Sequence, residues 1–144
     1  SLDLISKPYT CWHIRYTDKS NGIPIEDTFK EIETHRAQTK VIVTDSAVVK
    51  QMATERDMIC LSRIPRVVPP TCGRKIAGGG AHHRTDAQLA NDNLTKDDVN
   101  MSAIVDMFIA GMADEFIGTC AKTSSYSWFI DRGRNTNWFK QQLK

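Results

Sequence analysis

The run Val41-Ile42-Val43-Thr44 is apolar or β-branched at every position and is bounded by Lys40 and Asp45. A strand with one wet face alternates apolar and polar side chains. An unbroken run must instead be buried on both faces, as happens inside a parallel sheet covered by helices. Residues 58–61 (MICL) repeat the pattern, and residues 115–119 (EFIGT) read as a strand again. Residues 9–16 (YTCWHIRY), rich in aromatic and β-branched residues and following Pro8, read as a fourth strand.

Helical signals separate these runs. Residues 26–36 carry acids in a first turn and Phe29 and Ile32 three apart. Ser46 can cap a helix whose apolar positions Val48, Val49 and Met52 share a face. Residues 100–113 place Ile104, Val105, Phe108, Ile109 and Met112 at helical spacing. A later helix starts at Ser124 or Ser125, and residues 137–143 suit a short terminal one. The alternation predicts an α/β fold, a Rossmann-like parallel sheet with helices on both faces. Residues 65–99, with Pro65, Pro69, Pro70 and the run Gly78-Gly79-Gly80, read as one long irregular loop.

The chain has 144 residues, which suits a single domain spanning 1–144. Nineteen Lys and Arg against 17 Asp and Glu leave a net charge of +2, which lacks the dense basic stripe of a nucleic-acid-coating protein but suits one anionic ligand. No apolar stretch approaches the roughly 20 residues of a transmembrane helix, so the chain reads as soluble as given. Cys11, Cys60 and Cys120 lie in or beside strand-like segments and read as small hydrophobes. Cys72, His82 and His83 share one loop, but their spacing fits no familiar zinc pattern.

In an open parallel sheet, ligands bind outside the carboxyl ends of the strands, where the strand order switches. That rule selects residues 15–19, 44–46, the loop after Leu61, and 119–125. At the first strand end, His13 and Arg15 face one side by alternation. Arg15 can present its guanidinium fork to a phosphate, and Asp18 can position the fork or accept from a sugar hydroxyl. A surface salt bridge accounts for the same residues without a ligand. After the last strand, Thr119, Ser124 and Ser125 lead into a helix start, where hydroxyls and free N–H groups favour an anion. Simple capping is the commoner use of such serines. Together the two features suggest a diphosphate ligand, and neither phosphate-loop nor dinucleotide glycine motifs occur.

The order HIRYTDK, VTDS, GAHHR, DMFIAGMADEFIGT, SSYS resembles the C-terminal, donor-binding half of the GDP-fucose-dependent fucosyltransferases. It is most similar to the α-1,6 and nodulation types and more distantly to the protein O-fucosyltransferases. The resemblance spans about residues 11–133. It implies one half of a GT-B glycosyltransferase, binding GDP-fucose without a metal or other cofactor, and acting on a glycan or protein acceptor. By that resemblance Arg15 neutralises the diphosphate, with His13 and Asp18 shaping the donor pocket. Asp45 and Ser46 fall at the family's acidic strand end, and His82 and Arg84 fall in its histidine-containing stretch near the donor. Asp106 corresponds to the helix aspartate of the guanine pocket, Thr119 to the last strand's end, and Ser124 and Ser125 to the phosphate-facing serines. Asp106 lies off the Ile104/Phe108/Met112 stripe and is therefore not forced into the core.

Two departures accompany the resemblance. The loop between Lys19 and Pro24 is shorter than in the α-1,6 enzymes, and their loop base has no clear counterpart. Asp18 and Glu26 are the remaining catalytic acids, although an acid in a helix first turn is already explained by the dipole. The family's preceding domain, which supplies acceptor contacts, lies outside these 144 residues. A non-catalytic GDP-sugar-binding module and an unrelated α/β domain both stay open. Trp128, Phe129, Trp138 and Phe139 read as helix-packing residues, and Arg132 and Arg134 as partners of their own helix's C-terminal end.

Overall fold

A computed structural model describes residues 5, 7–16, 24–63, 86–118 and 125–143. The elements in chain order are β1 (Thr10–Ile14), α1 (Ile25–Thr34), β2 (Lys40–Thr44), α2 (Ala47–Glu55), α3 (Asp86–Asn91), α4 (Lys96–Gly111), β3 (Glu115–Gly118), α5 (Ser125–Asn135) and α6 (Trp138–Gln142). The strands form one parallel sheet in the order β2-β1-β3, with Cys11 opposite both Val41 and Phe116. Among the described residues, no helix is long and apolar enough to cross a membrane.

Both faces of the sheet are covered, as the unbroken apolar runs require. Trp12, Ile14 and Ile42 point to one side, against Ile25, Phe29 and Ile32 of α1 and Val49 and Ala53 of α2. Cys11, Val41 and Val43 point to the other, against Ile109 and Ala110 of α4, Ile130 of α5 and Phe139 of α6. His13 follows Cys11 by alternation and faces the α4 and α5 side. Gly111 and Gly133 make the α6 contact possible, since a Cβ on either would run into the Phe139 ring.

Several expectations need correction. Residues 58–61 form no regular strand but a single parallel bridge, Val41 to Ile59. The Ile42 N–H donates to the Ile59 carbonyl at 2.8 Å, and the Ile59 N–H donates to the Lys40 carbonyl at 3.0 Å. The ladder is cut on both sides. The Met58 N–H is taken by the Ala53 carbonyl of α2 at 2.9 Å, and the Thr44 N–H donates to Ser62 Oγ at 3.1 Å instead of to a backbone carbonyl. Counting this bridge as the third strand in chain order, the spatial order is 3-2-1-4, the first four positions of the Rossmann order 3-2-1-4-5-6. The order reverses between β1 and β3.

Helix α1 stops at Thr34, not at residue 36, because His35 turns extended. Its ring stands edge-on to Trp12, its Nδ1 accepts the Ala37 N–H, and its Nε2 meets Glu115 at 3.1 Å. On α2 the buried stripe is Val49 and Ala53, while Val48 is 43% exposed. Helix α4 starts at Lys96 and not at residue 100, because Thr95 and Asp98 form a reciprocal capping box. Its core side is Val99, Ile109 and Ala110, which leaves Ile104 exposed. Part of the expected long loop is therefore helical, namely α3 and the first turn of α4; residues 64–85 lie outside the described residues.

The aromatic residues divide. Phe139 is buried, with Phe129 and Trp138 edge-on to it. Trp128 is 59% exposed and carries Arg132 over its ring. Adjacent helical positions lie about 100° apart, so Trp128, Phe129 and Ile130 cannot all face inward, and Ile130 takes the core. Arg134 donates to the carbonyls of Ala113 and Asp114, tying α5 to the turn before β3 and not to its own helix end.

Candidate functional site

The carboxyl ends of β1 and β2 are held together by side chains. Thr44 Oγ1 donates to the Ile14 carbonyl at 2.8 Å and accepts the Ser46 N–H at 3.1 Å. Asp45 Oδ1 accepts the Tyr16 N–H at 2.9 Å, while its Oδ2 lies 4.0 Å from Arg15 Nε. Arg15 is buried. A buried guanidinium needs a carboxylate in reach, because desolvating an uncompensated charge is costly. Asp45 supplies it, and the ion pair braces the two strand ends.

His13 is buried on the α5 side of the sheet, with Nδ1 2.9 Å from Ser127 Oγ. Burial first, and the Arg15 charge second, pull its imidazole down to a pKa of about 4. It is therefore neutral near pH 7, and either ring nitrogen can accept a hydrogen bond according to tautomer. The His13–Ser127 contact spans the place where the strand order reverses, since Ser127 lies in the first turn of α5, the helix that follows β3.

A second cluster lies on α4. Ser62 Oγ donates to Asp106 Oδ2 at 2.9 Å and accepts from the Thr44 N–H. Lys50 Nζ donates to the Ser62 carbonyl at 2.6 Å. The other carboxyl oxygen, Asp106 Oδ1, is buried without a hydrogen-bond partner. Burial pushes Asp106 up to a pKa of about 7, against the opposing pull of the Ser62 hydrogen bond and the Lys50 charge. The Asp106 carboxyl is buried because the side of α4 opposite the exposed Ile104 is the side that meets the sheet and residues 60–62. Burial also raises the thiols of Cys11 and Cys60, which are not joined in a disulfide.

The other expected residues fall as follows. Ser46 is fully buried and its Oγ accepts the Val49 N–H, the geometry of a plain cap. Glu26 is exposed beside Asp27 in the first turn of α1. Ser125 is the first residue of α5. Asp18, His82, Arg84, Thr119 and Ser124 lie outside the described residues, as do Cys72 and His83. Among the described residues there is no group of three or more His, Cys, Asp or Glu able to hold a metal ion.

Ser62, Lys50 and Ser127 were not among the expected site residues. Ser62 was within reach, since it follows the apolar run 58–61 at its carboxyl end, and Ser127 closes the SSYS motif. Lys50 gives no such sign, because its contact with Ser62 crosses from a helix to a loop twelve residues on.

A cavity of about 300 Å³ adjoins the second cluster, lined by Arg63, Leu94, Asp98, Met101, Ser102 and Val105. A larger one of about 580 Å³ lies at the opposite, amino end of the sheet, beside Tyr9, His35 and Glu115. Size favours the amino end. Displaced ionisation does not separate the two ends, because burial also raises the Tyr9 phenol beside the larger cavity; the topological rule and the buried Arg15 favour the carboxyl end.

No family model, no curated protein and no solved structure matches this chain.

Proposed function

We propose that the carboxyl edge of the sheet binds a nucleoside-diphosphate sugar, with GDP-fucose as the donor, and supports transfer of the sugar to an acceptor hydroxyl in the manner of a fucosyltransferase. The observation that carries this reading is Arg15, buried at the end of the central strand and braced by Asp45 where the strand order reverses. Fixed positive charge there suits a diphosphate. It is also where charge grows as the bond between fucose C1 and the phosphate oxygen breaks and GDP leaves with the electron pair. The acceptor oxygen forms the new bond to C1 and gives up its proton to a carboxylate, for which Asp18 and Glu26 are the candidates. Neutral His13 and the carboxyl group of Asp106 are the candidate acceptors for the N–H groups of the nucleotide. The likeness to the donor half of a GT-B enzyme belongs to this proposal, as does a preceding acceptor domain.

The test is thermal stabilisation by GDP, UDP and ADP, followed by donor hydrolysis and transfer. Selective stabilisation by GDP is expected, together with its loss in Arg15→Ala. Because Arg15 is buried, Arg15→Lys serves as a second variant: it keeps the charge but not the fork, and should bind GDP at least tenfold more weakly. No stabilisation by any nucleotide, or undiminished transfer by a folded Arg15→Ala protein, refutes the proposal. GDP binding without turnover would instead identify a binding module.

A further inference from the structure

We propose that the amino end of the sheet carries a second binding site, for a tetrahedral oxyanion of the phosphate or sulfate type, in a cavity of about 200 Å³ where Lys7, Arg134, Asn137 and Lys140 converge. It is independent of the donor-binding reading above, which concerns the carboxyl end.

Lys7 precedes β1, Arg134 lies in the last turn of α5, and Asn137 and Lys140 belong to the turn and helix that follow. These side chains share one space because Gly111 and Gly133 put none of their own there, and the Phe139 ring packed against both glycines gives the cavity a firm floor. Two of the cations are anchored. Lys7 Nζ donates to the Met112 carbonyl at 2.6 Å, and Arg134 donates to the carbonyls of Ala113 and Asp114. Carbonyls at the end of α4 attract cations, which explains those contacts. They do not exhaust the donors, since an ammonium carries three and a guanidinium five. The Lys140 ammonium and the Asn137 side-chain amide have no hydrogen-bond partner among the described residues.

Three cations line this cavity against one carboxylate, Asp114. Asp114 Oδ2 is committed to the Tyr9 N–H at 2.8 Å, and among the described residues it forms no ion pair with the three cations. The cavity therefore holds a surplus of both donors and positive charge, and a small group made of acceptors completes it. A carboxylate offers two oxygens in one plane. A phosphate or sulfate group offers three or four spread over a tetrahedron, which suits cations arriving from three separate segments. A water molecule takes about 30 Å³ of liquid, so about 200 Å³ admits such an ion with part of its hydration. Prior anchoring of Lys7 and Arg134 lowers the ordering cost of binding. Lys7, Asn137 and Lys140 are exposed, so an ion reaches the cavity directly and salt screens its attraction. The larger cavity of about 580 Å³ shares Lys7 and Asp114, which leaves room beside the oxyanion for the rest of a monoester.

The experiment is an NMR titration of the full chain in which phosphate replaces chloride at constant ionic strength. It follows the Asn137 side-chain amide and the backbone amides of Gly111 and Gly133. Saturating shifts at these groups are expected, with a midpoint on the order of 1–10 mM, and acetate should bind at least about fivefold more weakly. Lys140→Met and Asn137→Gly should each weaken phosphate about fivefold. Both positions are exposed, and glycine accepts the φ of 61° at Asn137, so neither change threatens the fold. Ribose 5-phosphate separates the two sources of the group: tighter binding than inorganic phosphate identifies a monoester as the occupant, and equal or weaker binding identifies the free ion. Lys140→Met should leave stabilisation by GDP as in the wild type, because that ligand belongs to the other end of the sheet. Shifts that grow with phosphate without saturating, or saturating shifts unchanged in both variants, overturn the inference. Phosphate shifts confined to the amides of Arg15 and Ser127 overturn it as well, since they place the anion at the carboxyl end.

Discussion

His13 and Asp106 are displaced in opposite directions, so their effects on stability should cancel in the wild type and reappear when either is removed. The imidazole is lowered from 6.5 to about 4. A group depressed in the folded state stabilises above its unfolded value, and that stability is lost as pH falls through the window from 6.5 to 4. At about 1.4 kcal/mol per pH unit the loss is about 3 kcal/mol. The carboxyl is raised from 3.8 to about 7. Its contribution is present in full below 3.8 and is lost as pH rises through 7, about 4 kcal/mol by the same conversion. Between pH 4 and 6.5 the two slopes oppose each other. His13→Gln should therefore become more stable relative to wild type as pH is lowered from 6.5 to 4, and Asp106→Asn less stable, each by about 3 kcal/mol. Urea unfolding followed by tryptophan fluorescence at half-unit pH steps gives the three curves. Only their slopes matter, because each substitution also changes stability at every pH. Curves that run parallel in all three proteins would refute the opposed burial of these groups.

Gly133→Ala should destabilise by about 1–3 kcal/mol, since its new methyl meets the Phe139 ring, whereas in a Phe139→Ala background the same change should stabilise by up to about 1 kcal/mol through helix propensity. A denaturant-based double-mutant cycle checks the change of sign. Ser46→Ala removes the cap of α2 and leaves the Val49 N–H buried, which should cost about 1 kcal/mol and lower Tm by about 3 °C in a thermal melt. An unchanged Tm would mean that another acceptor takes over that amide.

The α/β class and the burial of β1 and β2 on both faces were legible because period-two and unbroken apolar patterns are local. The carboxyl edge was legible too, because a parallel sheet places its strand ends together. What escaped is set by competition for single backbone groups. No pattern in residues 58–61 reveals that the Met58 amide belongs to α2 and the Thr44 amide to a serine side chain. The end of α1 depends on His35, whose partners Trp12 and Glu115 are remote in sequence. Helix α4 misled in another way. It carries apolar residues on several sides, so counting them could not tell the inward face of Ile109 from the outward one of Ile104. The burial of Asp106 was hidden by that ambiguity.

The one-residue bridge at Ile59 also shapes how the molecule meets others of its kind. Every open sheet has two borders, and a long unpaired border invites a neighbouring chain to continue the ladder and aggregate. Among the described residues, the border beyond β2 carries the Val41–Ile59 bridge, and Ser62, a side chain, has taken the Thr44 amide that would have extended it. The serine that holds Asp106 therefore has a second effect: it occupies one backbone donor at the end of β2, the Thr44 N–H, that a further strand would otherwise need.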